Sequence, residues 1–262
     1  MRTSRHFTPV FLLLFSFLGL ILIAALASLP PQMQDNVSWR KPLAGTVFSI
    51  VCTLGILAGI FPSKCSGTFH SRATKQRELA KKSVELPEKA LNFSGHHPIC
   101  GKFGAHVFQA GQKILCAGCI GLILGATFSL GGVTVYFFLQ MSLASDCLLV
   151  FWPGLVGVAC GLLQYHLFNW GGSLVHLSVN TFFVLGTFLL LVGVDAVTQS
   201  IIVDLYVIAL SLFWLYTRIL LSQLYHRRIC TACGIEECGY REREKQKALV
   251  SASHSVKGAY DD

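Results

Sequence analysis

Only 13% of the 262 residues are charged, and acidic residues number just 13. Ordinary soluble domains carry about twice that charge density, so the composition excludes an ordinary soluble domain. The alternation of apolar and polar residues over segments of about 10 that an outer-membrane barrel requires is also missing. There is no nucleophile elbow, phosphate-binding loop, HExxH or dinucleotide fingerprint, which removes the enzyme classes those motifs announce. The middles of the apolar stretches hold no acidic or basic residue, which counts against ion pumps and coupled transporters.

What the sequence has in quantity is apolar length: 53% of the residues are apolar. A spanning helix needs about 20 mostly apolar residues. Six stretches qualify: Pro9 to Leu29, Ala44 to Phe61, Ile114 to Leu139, Cys147 to Leu167, Leu174 to Val197 and Ile201 to Leu221. The fold expected is all-α, a polytopic helical membrane bundle of about six spans in contact with the lipid bilayer. The first stretch follows Arg2, Arg5 and His6 and ends in Ala25–Ser28, which has the look of a signal-peptide cleavage site. Its apolar part exceeds the 7–15 residues or so of a signal core, which favours a retained helix.

With both termini in the cytoplasm, 19 of the 21 Lys and Arg residues fall on the inner side, and only Arg40 and Lys41 lie outside. The positive-inside rule then sets the orientation of a multi-pass protein of the cell membrane. Four parts follow: residues 1–62 with two spans, a cytoplasmic His/Cys loop at 63–113, a four-span block at 114–221 and a cytoplasmic Cys-rich tail at 222–262. The run Lys75–Lys89 mixes both signs and reads as a solvated segment near anionic headgroups, so no nucleic-acid partner is expected.

Ten cysteines are present. Six of them fall on the expected cytoplasmic side in short clusters, where thiols stay reduced and spacing points to metal before disulfides. The order His97-x2-Cys100-x15-Cys116-x2-Cys119 is the two-pair zinc pattern with one His substitution. A further set, His226-x3-Cys230-x2-Cys233-x4-Cys238, offers four ligands that match no single standard template. Together these make eight ligands, enough for two four-coordinate sites. Sharing between loop and tail stays open: Cys116 and Cys119 could pair with the tail, with His96 or His106 completing the other site. Cys116 and Cys119 stand at the lip of the third span, where a metal would anchor the long loop without a large soluble core.

The remaining cysteines have plainer readings. Cys52, Cys147 and Cys160 read as small core hydrophobes, and Cys65 is unassigned. Gln164, His166, Trp170, His176 and Asn180 lie near the inner ends of spans four and five. His176 and Asn180 are four apart, on one helix face, and the expected role of the group is interfacial anchoring with hydrogen bonds between helices. Three GxxxG steps, Gly55–Gly59, Gly121–Gly125 and Gly157–Gly161, allow close helix approach.

The stretch LCAGCIGLILGA, Leu115–Ala126, resembles the Cys-Ala-x-Cys-x-Gly signature that opens a membrane helix in a family of uncharacterised prokaryotic polytopic membrane proteins. That family carries a Cys-His pair upstream, and HHPIC, His96–Cys100, stands in the corresponding place with altered order. The resemblance implies an integral membrane protein and supplies no activity.

The function expected is therefore that of a membrane protein whose cytoplasmic zinc-type Cys/His sites organise loop and tail for a cytoplasmic protein partner or for sensing. This reading leans away from an enzyme. Two alternatives stand beside it: a membrane oxidoreductase using an iron–sulfur centre or the Cys116/Cys119 dithiol, and a transporter or channel.

Overall fold

A computed structural model describes residues 4–29, 37–61, 93–94, 97–98, 101–110, 113–140, 147–167 and 171–233. Six long helices dominate them: α1 (Ser4–Ser28), α2 (Arg40–Ile60), α3 (Ala117–Val133), α4 (Cys147–Leu167), α5 (Ser173–Thr198) and α6 (Ile201–Ala232). Five are long and apolar enough to cross a membrane, and the sixth, α4, contributes the shorter apolar stretch Leu149–Tyr165. Large apolar side chains such as Leu14, Ile21, Phe128 and Phe182 point outward, the arrangement of a bundle surrounded by lipid. The chain is thus a helical membrane protein, as its apolar runs predict.

The expectation of an all-α chain needs correction in the segment before α3. Phe93–Ser94 (β1) pairs antiparallel with His97–Pro98 (β2), and Val107–Ala110 (β3) pairs with Lys113–Cys116 (β4). A short 3-10 segment, Gly101–His106, joins the two ribbons. The third span therefore begins at Ala117 rather than Ile114, because Lys113–Cys116 spends its backbone hydrogen bonds on the facing strand. At its other end α3 runs into a π turn, Thr134–Phe138.

The sixth span also departs from expectation. Apolar residues stop near Leu221, yet α6 continues through SQLYHRRICTA to Ala232. Good helix formers and the absence of Gly or Pro carry the backbone on after hydropathy has fallen.

At the centre of the bundle lies α5, in backbone contact with both neighbours. A Cβ on Gly154 would stand 2.9 Å from the Gly186 carbonyl oxygen, and one on Gly157 would stand 2.7 Å from that of Phe182. Opposite, a Cβ on Gly125 would lie 2.8 Å from the Thr181 carbonyl oxygen, and Thr181 Oγ1 donates to the Gly121 carbonyl at 3.1 Å. Small residues thus hold α3, α5 and α4 at close range. Two of the GxxxG steps serve this packing, while Gly55 faces open space and Gly59 meets Ile123.

Polar contacts seat α1 on α6: the Trp214 indole donates to the Ser16 carbonyl at 3.1 Å, and Ser16 Oγ to Thr217 Oγ1 at 3.3 Å. In an apolar surround such bonds have no water to compete with them.

Candidate functional site

Cys116 is the N-cap of α3, with extended φ and ψ, and Cys119 sits in the first turn. The ladder to Val107 fixes the backbone of Cys116, so the ribbon aims this thiol at the start of the helix. The two thiols lie within hydrogen-bond reach of each other, and Tyr165 of α4 is in electrostatic range of both. Cys116 is buried and Cys119 half-buried.

Beside them stands a cluster of rings drawn from three parts of the chain. The His106 ring lies 4.1 Å from that of His176 on α5 and 5.9 Å from that of His226 on α6. Phe103, only 2% exposed, packs edge-on to His226 at 5.4 Å. Tyr225 adds its ring 5.6 Å from that of Tyr165. The segment that follows Cys100 is in this way docked on the helix turn that precedes Cys230.

Behind the rings lies a buried cation. Arg218 of α6 is 3% exposed, and its guanidinium reaches only neutral acceptors: Asn180 Oδ1 at 3.3 and 2.8 Å, Gln164 Oε1 and the Gly161 carbonyl. Its Cζ stands 4.9 Å from the centroid of the Phe183 ring, a cation–π contact. Among the described residues no carboxylate pairs with it. Since Gln164 Oε1 accepts from Arg218, its amide nitrogen donates to His176 Nδ1 at 2.6 Å. That bond makes Nδ1 an acceptor and assigns the proton of a neutral His176 to Nε2. Asn180 in turn donates to the His176 carbonyl. Of the polar group expected near the ends of spans four and five, Gln164, His176 and Asn180 therefore take part in helix-to-helix hydrogen bonds centred on Arg218.

The other predicted ligands are placed unevenly. His226 is half-buried and Cys233 caps the end of α6 with extended φ and ψ. Cys230 lies in the last turns of α6, four residues after His226, so the stretch His226-x3-Cys230 of the expected ligand set is helix. His97 is in β2. The side chains of His97 and Cys230, and all of Cys100 and Cys238, lie outside the described residues, as do His96, Cys65, Trp170 and the side chains of Cys147 and His166. Among the described residues no group of three or more His, Cys, Asp or Glu side chains is arranged to hold a metal ion. Cys52, as expected, is packed into the apolar core.

A second polar cluster occupies the other end of the bundle, where residues near the expected outer face of the spans are joined by ion pairs that the sequence does not announce. Arg40, the first residue of α2, pairs through Nη1 with Asp195 Oδ1 and, at 2.9 Å, with Asp204 Oδ2. Tyr136, turned inward by the π turn together with Phe137, donates to Asp195 Oδ2 at 2.7 Å. Lys41 Nζ lies 4.4 Å from the centroid of the Tyr136 ring. None of Arg40, Tyr136, Asp195 and Asp204 is more than 6% exposed.

A tight connection brings the two aspartates together. Gln199 adopts a left-handed φ of 47° and donates its backbone N–H to the Asp195 carbonyl, while the N–H of Asp204 donates to the Ser200 carbonyl. The spacing DAVTQSIIVD, with an aspartate at each end of a polar Gln-Ser step between two apolar runs, was the signal available in the sequence. No family model, no curated protein and no solved structure matches this chain.

Proposed function

We propose that this membrane protein carries a zinc-type Cys/His centre at the end of the bundle where α3 begins, and that the centre organises residues 63–113 and the C-terminal stretch for a cytoplasmic protein partner or for sensing. One observation carries the reading: Phe103 and His106, which follow Cys100 closely, pack on His226, one turn before Cys230, beside the Cys116/Cys119 thiol pair. His106, His226 and the Cys116/Cys119 pair, far apart in sequence, thus share one end of the bundle, which supports the reading. Cys116 and Cys119 would supply two thiolates, and the remaining ligands would come from among His97, Cys100, His226, Cys230, Cys233 and Cys238. Bound there, zinc would act as a structural tether, a role that needs no open coordination position. The likeness of Leu115–Ala126 to the Cys-Ala-x-Cys-x-Gly signature is in keeping with a membrane protein and adds no activity.

Elemental analysis and visible spectra of anaerobically purified protein test the assignment. Zinc at one or two ions per chain with a colourless sample is the expected result, because zinc is d¹⁰. A coloured iron- and sulfide-containing protein would instead establish the iron–sulfur alternative. Metal-free protein whose Cys116 and Cys119 cycle between dithiol and disulfide would favour the dithiol oxidoreductase, a reading that the contact between the two thiols supports.

The same proposal places this end of the bundle in the cytoplasm, on the strength of the 19-to-2 division of basic residues. Single cysteines introduced at Thr74 and Ser253 should then resist a membrane-impermeant thiol reagent in intact cells and react after lysis. Labelling from outside would reverse the orientation and reopen a disulfide reading of the clusters.

A further inference from the structure

We propose that Asp195 and Asp204, clamped by Arg40, form a proton-binding site that holds one exchangeable proton, independent of the metal centre at the other end of the bundle. The argument begins with charge. Two carboxyl groups share one guanidinium in a place where Asp195 and Asp204 are both 0% exposed. Like charges this close cannot both remain ionised without a second counter-charge in contact.

Among the described residues, the charged and titratable groups that face the pair are these. From α2 come Arg40, which bridges both carboxyls, and Lys41, whose amine stands over the Tyr136 ring and forms no ion pair among the described residues. From the π turn comes Tyr136, a neutral donor. From α5 and α6 come the aspartates themselves. Among the described residues, one negative charge is left over within contact distance.

Hydrogen bonding says which carboxyl carries the proton. Both Asp195 oxygens receive donors, Oδ1 from Arg40 and Oδ2 from Tyr136, so Asp195 is the group built to be an anion. Asp204 receives Arg40 at Oδ2 alone, and its Oδ1 is buried with no hydrogen-bond partner. A bare carboxylate oxygen in a dry interior is costly, and a proton removes both the surplus charge and that cost.

A metal cation fits less well. Calcium and magnesium ions ask for about six oxygen ligands or more, whereas this site presents one unpartnered oxygen and Arg40 fills the space between the carboxyls. Access is short. Arg40 opens α2, Asp195 lies in the last turn of α5 and Asp204 in the first turn of α6, so the site is about one helical turn from the bundle end. The π turn beside it is a distortion that recurs at functional positions in helices.

Infrared spectroscopy of the full chain in lipid nanodiscs at neutral pH tests the site directly, since exposed carboxyl groups are ionised there and do not contribute. The unmodified protein should show one protonated-carboxyl C=O band that shifts in D2O. Asp204→Asn should abolish it. Asp195→Asn should also remove it, because Arg40 then balances a single carboxylate, while Arg40→Gln should raise it about twofold by leaving both carboxyls to be protonated. Absence of the band in the unmodified protein would overturn the proposal whatever the variants do. So would a band that persists in both asparagine variants, or one that disappears on adding sodium or calcium salt, which would give the site to a metal cation.

Discussion

Asn180→Leu is expected to destabilise the bundle by about 3 kcal/mol, because it strips two hydrogen bonds from a buried guanidinium that pairs with no carboxylate among the described residues. Arg218→Met should be milder, since it removes the charge along with its demand for partners. The combination is the informative arm. If the penalty of Asn180→Leu comes from an orphaned charge, adding Arg218→Met should recover a large part of it, a coupling of about 1–3 kcal/mol in a double-mutant cycle. Equilibrium unfolding in mixed micelles supplies the numbers. Additive losses would mean that Asn180 matters for packing against Gly118 and Gly121 and that the network around Arg218 is incidental.

The second large effect concerns Cys116 and Cys119. A closed four-coordinate centre loses much of its affinity when one thiolate is replaced, so Cys116→Ser and Cys119→Ser should each release metal, whereas Cys52→Ser should leave the content unchanged. The amount released separates two arrangements. Loss of all metal from either serine variant means one centre shared by loop and α6; loss of half means two centres. Trypsin reports the mechanical result, because Arg227 and Arg228 lie in the last two turns of α6. Metal loss should speed cleavage there if ligation fastens this end. Metal content unchanged in both variants would remove the zinc proposal.

The spans were legible in the sequence because continuous apolar runs need no knowledge of partners; Cys147–Leu167 was even bounded as the helix is. The boundaries that misled had physical reasons. Lys113–Cys116 is apolar enough to read as a helix start, but its neighbour Val107–Ala110 claims it as a strand. Beyond Leu221 the helix is carried by backbone propensity, which hydropathy does not register.

The Cys/His clusters were visible because their spacings are short and local in the sequence. The buried charges were not. Arg40 meets Asp195 and Asp204 across 155 and 164 residues of chain, and a lone arginine beside a lysine at the edge of a span looks like a topology signal. His176 and Asn180 were found by their helical spacing, while Arg218, which organises them, lies on another helix, 38 residues beyond Asn180.

Helix α6 has 32 residues and so is about 48 Å long, well beyond the ~30 Å of a bilayer's hydrocarbon core. It carries Asp204 near one end, Arg218 further along and His226 near the other, with no glycine or proline between them to act as a joint. A rod without a joint cannot bend away a disturbance: a rotation or axial slip at one end reaches the other. Were a proton at one end and a metal at the other each to shift α6, linkage would require each to change the affinity of the other by the same factor.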